Sequence, residues 1–146
     1  MQRRTVEQAL ALYRAGCYAE AEAEARAVAS VRAWPREQAP LALSIAAMAA
    51  YGQGRHAEAL ATYDELLPVF GRIFGAAHPQ TLALRSNRAR TLSALSRHAE
   101  CEAECAAVTR AVARRGGSVM RDIAAASDVS RRDHPNRAAQ CPRAVR

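Results

Sequence analysis

Apolar positions recur at helical spacing over the first 115 residues, in segments broken by glycine and proline. Val6, Ala9, Leu10 and Tyr13 lie three or four apart between Gln2 and Ala15, which predicts an amphipathic helix ended by Gly16. A second helix follows from about Tyr18 to Ala33, with Ala21, Ala25 and Val28 on one face. Glu22 and Arg26 stand at i,i+4 on another face and support it locally. Trp34-Pro35 stops this helix, and Pro40 marks the next start. Leu41 to Gly52 predicts a third helix, turning at Gly52-Gln53-Gly54. The return helix presents Ala59, Tyr63 and Leu66 one turn apart. Pro68 should kink or end it, because proline removes a backbone donor and clashes with the preceding turn. Val69 to Phe74 continue as helix beyond that point, closed by Gly75.

His78-Pro79 opens a fifth helix, with proline suited to a first helical position. Leu82, Ala89, Leu92 and Leu95 supply its stripe. A sixth helix runs from about His98 to Arg115, facing inward with Cys101, Cys105, Val108 and Val112, and Gly116-Gly117 caps it. Ser118 to about Ser127 predicts a short helix with Ser118 as N-cap and Val119, Met120, Ile123 and Ala124 as its apolar face. From Ser130 onward the polar, Arg-rich sequence reads as a disordered tail over 130–146.

The helices come in copies. Gly54-Arg55-His56-Ala57-Glu58-Ala59 recurs as Ser96-Arg97-His98-Ala99-Glu100-Cys101, and Gly16-Cys17-Tyr18-Ala19-Glu20-Ala21 is a fainter version upstream. Glu20, Glu58 and Glu100 are spaced by 38 and then 42 residues. Self-similarity at such a period marks a solenoid of stacked supersecondary units. The expected fold is therefore all-α: an α-α superhelix of three antiparallel helix pairs, 3–33, 41–74 and 79–115. A C-terminal capping helix at 118–128 covers the last apolar face, making one domain of 1–129.

Composition agrees. Hydrophobic residues make up 50% of the 146, yet aromatics reach only 5%, and Ala dominates. A chain rich in Ala, Arg, Glu and Leu favours helix. The net charge is +7, and all 21 basic residues are Arg. A basic balance raises nucleic acid and acidic protein as partners. Here, however, the charge is spread: 15 Arg against 11 acids over 1–115, and 6 against 3 over 116–146, with no run of five like charges. Cys17, Cys101, Cys105 and Cys141 form no C-x-x-C pair and no disulfide-dense spacing, so a reduced, cytoplasmic protein is expected. The longest apolar run, Leu41 to Tyr51, is far short of a membrane span.

The small residues Ala9, Ala47 and Ala89, then Ala21, Ala59 and Cys101, then Ala25, Tyr63 and Cys105 fall at equivalent places in the three units. This pattern resembles tetratricopeptide repeats. The stretch Gly75 to Leu95, reading G-x-x-H-P-x-T-L-x-x-R-x-N-x-A, is similar to the long-period variety of kinesin light chains and of many bacterial regulatory proteins. Arg85 and Arg88 depart from the pattern at positions that are often apolar, and Ser96 replaces the turn glycine. The resemblance implies that the first helix of each pair lines a concave groove holding a peptide of another protein. By position, the groove residues are Val6, Leu10, Tyr13 and Arg14, then Leu41, Ser44, Met48 and Tyr51, then Ser86, Asn87, Arg90 and Ser93. Leu10, Leu41 and Met48 read equally well as core.

The first helices carry Arg3, Arg4, Arg14, Arg85, Arg88 and Arg90 against Glu7 alone, while the second helices hold most of the acids. An acidic peptide is thus the expected partner, bound less tightly as salt rises. Two other readings stay open: self-association into a homodimer through an uncovered end, and weak nucleic-acid binding through the Arg-rich surface and tail. Few aromatics are available for base stacking, which ranks nucleic acid last. No membrane partner and no cofactor is expected.

Catalytic chemistry has little to stand on. The chain lacks a phosphate-cradling glycine loop, G-x-S-x-G and H-E-x-x-H, so no enzyme activity is expected. His98, Cys101 and Cys105 at i, i+3, i+7 could share a helical face as zinc ligands. Both cysteines, though, fall on positions that the repeat packs inside, where free Cys acts as a small hydrophobe.

Overall fold

The computed structural model describes residues 5–31 and 36–115. The capping helix expected at 118–128, the tail at 130–146, Gly116-Gly117, Trp34-Pro35, Arg3 and Arg4 lie outside these residues. Six helices follow one another: α1 Val6–Arg14, α2 Tyr18–Ala29, α3 Gln38–Gly52, α4 His56–Ile73, α5 Pro79–Ala94 and α6 His98–Arg115. Among the described residues there is no strand. Each helix packs on the next in chain order, α1 lies beside α3, and α3 touches α5. Nearest-neighbour packing of this type is what a stack of hairpins produces.

The helix ends follow from local chemistry. Thr5 and Gln8 cap α1 reciprocally, the Gln8 amide N–H donating to Thr5 Oγ1 at 3.2 Å and the Thr5 N–H to Gln8 Oε1 at 3.0 Å. Pro79 opens α5, and the Gln80 N–H donates to Nδ1 of the capping His78 at 3.1 Å. The three hairpin turns share one geometry. Gly16, Gly54 and Ser96 have φ of 83°, 83° and 60°. Each N–H donates three residues back, and the following N–H donates five residues back: Cys17 to Leu12, Arg55 to Ala50, Arg97 to Leu92, all at 2.9 Å. These bonds satisfy the last carbonyls of each first helix and require the left-handed backbone that glycine adopts freely. Ser96 holds that conformation with a side chain.

Two prolines refine the expected bounds. Of the two outcomes expected at Pro68, ending the helix does not occur: α4 runs through it to Ile73, as the continuation over Val69 to Phe74 predicted. Pro68 and Asp64, whose carbonyl loses its intrahelical donor there, are both exposed, so water can take that bond. Helix α3 begins at Gln38, two residues before Pro40, which sits in the first turn where a missing N–H costs nothing.

The core is uneven. One large cluster spans the first two hairpins and the start of the third, including Ala21, Ala25, Ala59, Tyr63, Leu66 and Phe70, each at most 4% exposed. A second, smaller cluster in the third hairpin gathers Leu82, Val108 and Val112 among the described residues, with Ala111 packed against it. Rings mark the same contrast. Tyr13 meets Tyr18 with centroids 5.3 Å apart, and at the equivalent place Tyr51 meets His56 at 4.6 Å. The third unit has Ser93 opposite His98 and no such pair. At the first joint the chain comes unusually close: a Cβ on Gly52 would stand 2.9 Å from the Tyr18 ring.

Candidate functional site

The first helix of each hairpin, α1, α3 and α5, carries the residues expected to line a groove. Val6, Leu10, Leu41 and Tyr51 are half-buried and pack on the edge of the main core. Tyr13, Met48 and Asn87 are buried, at 4%, 7% and 8% exposed. Arg14 and Ser93 are exposed; Ser44, Ser86 and Arg90 are intermediate. The Ser44 hydroxyl turns back and donates to the Leu41 carbonyl at 2.6 Å. Ser86, Arg90 and Ser93 come together in one pocket of about 390 Å³, floored by Ala89 and Val108 and walled by Cys101, Cys105 and Thr109.

Polar atoms on α5 are left without partners. Asn87 Oδ1 and Arg90 Nη1 are buried and make no hydrogen bond among the described residues. Unpaired buried polar groups are costly, on the order of 1–3 kcal/mol each. Below Arg90 lies Tyr63, whose hydroxyl pKa is raised by burial and by nearby Tyr13, an effect that the Arg90 charge opposes.

The other arginines of α5 point away from this site. Arg85 donates to Glu104 of α6 through Nε at 2.6 Å and Nη2 at 3.4 Å. Arg88 donates to Asp64 of α4 at 2.6 Å and lies 3.6 Å from Glu104. Residues that break the apolar pattern are therefore tied to carboxylates of the second helices, and their charge does not face a groove. Sequence reasoning missed this clasp. The signal was present in Asp64 and Glu104, acids on the two helices that flank α5.

A second ionic joint holds the first two units. Glu22 of α2 receives the guanidiniums of Arg26 and Arg55 and the Gln53 amide at 2.9 Å. Burial would raise its pKa, but these hydrogen bonds outweigh burial and hold it below the ordinary value. Arg55 also pairs with Glu58 at 2.5 Å, and the repeat-equivalent Arg97 pairs with Glu100 at 2.7 Å.

The cysteines differ from expectation. Cys17 is buried and disulfide-bonded, which the spacing did not foretell. Cys101 and Cys105 are free thiols. Neither is core: Cys101 is half-buried and Cys105 exposed, because no described helix lies over that face of α6.

Set beside known families, residues 37–103 match a model described as tetratricopeptide repeat. Over this span the chain carries tetratricopeptide repeats. The matched span covers α3, α4, α5 and the turn into α6, where the copied motif sits. Tetratricopeptide repeats mediate protein–protein interaction and typically serve as non-enzymatic scaffolds. No curated protein and no solved structure shows a significant match to this chain. Among the described residues no helix of the repeat array is long and apolar enough to cross a membrane.

Proposed function

We propose that the face formed by α1, α3 and α5 binds a peptide segment of a partner protein, with α5 as its polar end. What carries the reading is the unpartnered pair on α5. Asn87 Oδ1 can accept from a peptide N–H, and Arg90 Nη1 can donate to a carbonyl or carboxylate. Ser86 and Ser93 flank Arg90 with hydroxyls. Val6, Leu10, Leu41 and Tyr51 offer apolar surface along the rest of the face, and the Arg14 charge lies on the same side. An acidic segment remains the fitting class, on narrower grounds than charge counting gave, since Arg85 and Arg88 are spent on internal pairs. The 42-residue spacing of Glu58 and Glu100 supports placing these repeats in the long-period, kinesin-light-chain-like variety.

Peptide display on the full chain tests this. Enriched sequences should carry Asp or Glu, lose affinity as salt rises, and lose at least tenfold on Arg90→Glu, about 1.4 kcal/mol. Tyr51→Ala should weaken them less. Enriched peptides indifferent to Arg90→Glu would move the site elsewhere.

A further inference from the structure

Cys101 and Cys105 occupy repeat positions that elsewhere hold Ala21, Ala25, Ala59 and Tyr63. Those four are sealed beneath the next hairpin, at 0%, 0%, 0% and 1% exposed. In the third hairpin the same positions open onto the 390 Å³ pocket. One turn apart, the two side chains share a helical face. Burial, as the larger cause, and the neighbouring Cys101 thiol push the Cys105 thiol up. Packing, which explains the small residues of the first two units, does not explain a reachable pair of thiols here.

We propose that Cys101 and Cys105 form a two-coordinate site for a soft monovalent cation, copper(I). Soft sulfur donors suit copper(I), zinc and iron–sulfur clusters, and the clusters take four cysteines. Zinc takes four ligands in a structural site and at least three protein ligands in a catalytic one. Among the described residues no third His, Cys, Asp or Glu gathers with this pair. Glu104, on the same turn, is held by Arg85 and Arg88. On binding, each thiol gives its proton to water and forms one sulfur–copper bond, and no electron moves. The resulting bis-thiolate complex carries one negative charge. Arg90 lines the same pocket with an unpartnered Nη1 and offsets that charge without leaving its helix.

Anaerobic titration of the full chain with copper(I), in competition with the chromophoric chelator bicinchoninate, tests the site. One copper per chain should leave the chelator, and X-ray absorption should show a shell of two sulfurs. Cys101→Ser and Cys105→Ala should each abolish the uptake with circular dichroism unchanged, whereas Cys17→Ser and Cys141→Ser should retain it. The assignment is overturned by no uptake, by uptake that survives Cys105→Ala, or by a three-sulfur shell.

Discussion

In the first two hairpins, rings and aliphatic side chains hold the helices together: Tyr63 and Phe70 are 1% exposed, and Tyr13, Tyr18, Tyr51 and His56 pair at the hairpin ends. In the third hairpin the buried apolar side chains are aliphatic, with a small cluster of Leu82, Val108 and Val112, and an arginine–carboxylate clasp shares the task. The contrast shows that a repeat can keep its shape while changing the force that maintains it. Apolar packing is insensitive to ionic strength, whereas partly exposed ion pairs are screened by it. The third hairpin should therefore be the softer unit, and it is also the one that presents Arg90, Asn87 and the two thiols. Local stability is commonly lowest where ligands bind.

The contrast can be broken most forcefully from the core side. Tyr63→Ala should lose about 3–5 kcal/mol, as for other large buried rings. Val112→Ala, in the thin cluster, should lose only about 1–2 kcal/mol at roughly 0.8 kcal/mol per buried methylene. Urea unfolding would compare them, and equal losses would mean that the third hairpin is as well packed as the others. Glu104→Gln should come next. It leaves half-buried Arg85 without a charged partner and Arg88 with Asp64 alone, a loss of about 1.5–3 kcal/mol. Amide exchange should quicken over α5 and α6 while α1 and α2 keep their protection; uniform quickening would reject the division.

Ser96→Gly should stabilise the chain by about 1 kcal/mol, because the left-handed turn then carries no side chain. The opposite change, Gly54→Ser, should lose a similar amount. Thermal melts read both. The smallest effect belongs to Glu22. Its lowered pKa means that its contribution is present above the ordinary value of 4.5 and is lost as pH falls through the lower, folded value. Glu22→Gln should thus lower the melting temperature at pH 7 and make little difference in acid. A gap between the two proteins that persists in acid would contradict the ionic account.

Helix number, order and turns were legible because they depend on local chemistry. Gly16 and Gly54 announce the left-handed turns, and Pro79 announces α5. The inward stripes Ala21-Ala25-Val28 and Ala59-Tyr63-Leu66 follow from 3.6-residue periodicity and are buried as expected. What periodicity could not give was the environment supplied by neighbours. Cys101 and Cys105 sit on an inward register, yet a register is buried only if something lies over it. Arg85 and Arg88 looked like defects in an apolar stripe until Glu104 and Asp64 were seen beside them. The helix continues past Pro68, as Val69 to Phe74 predicted, and what the sequence left open is whether the orphaned carbonyl faces solvent. For the site, the sequence placed Ser86, Arg90 and Ser93 on one face of α5, and the structure gathers them. It could not separate Tyr13 and Met48, which are core, from Leu41 and Tyr51, which reach the surface.

The contact of Glu22 with Gln53 and Arg55 also bears on how such an array can grow. One unit on, the place of Glu22 is taken by Leu60, so a second copy of the middle hairpin set behind the first would bring its arginine against a leucine. At the second seam Arg97 already holds that place and pairs with Glu100 in its own hairpin, so the two seams are keyed differently. Neighbour order is thereby written into the surface charges as well as into the chain.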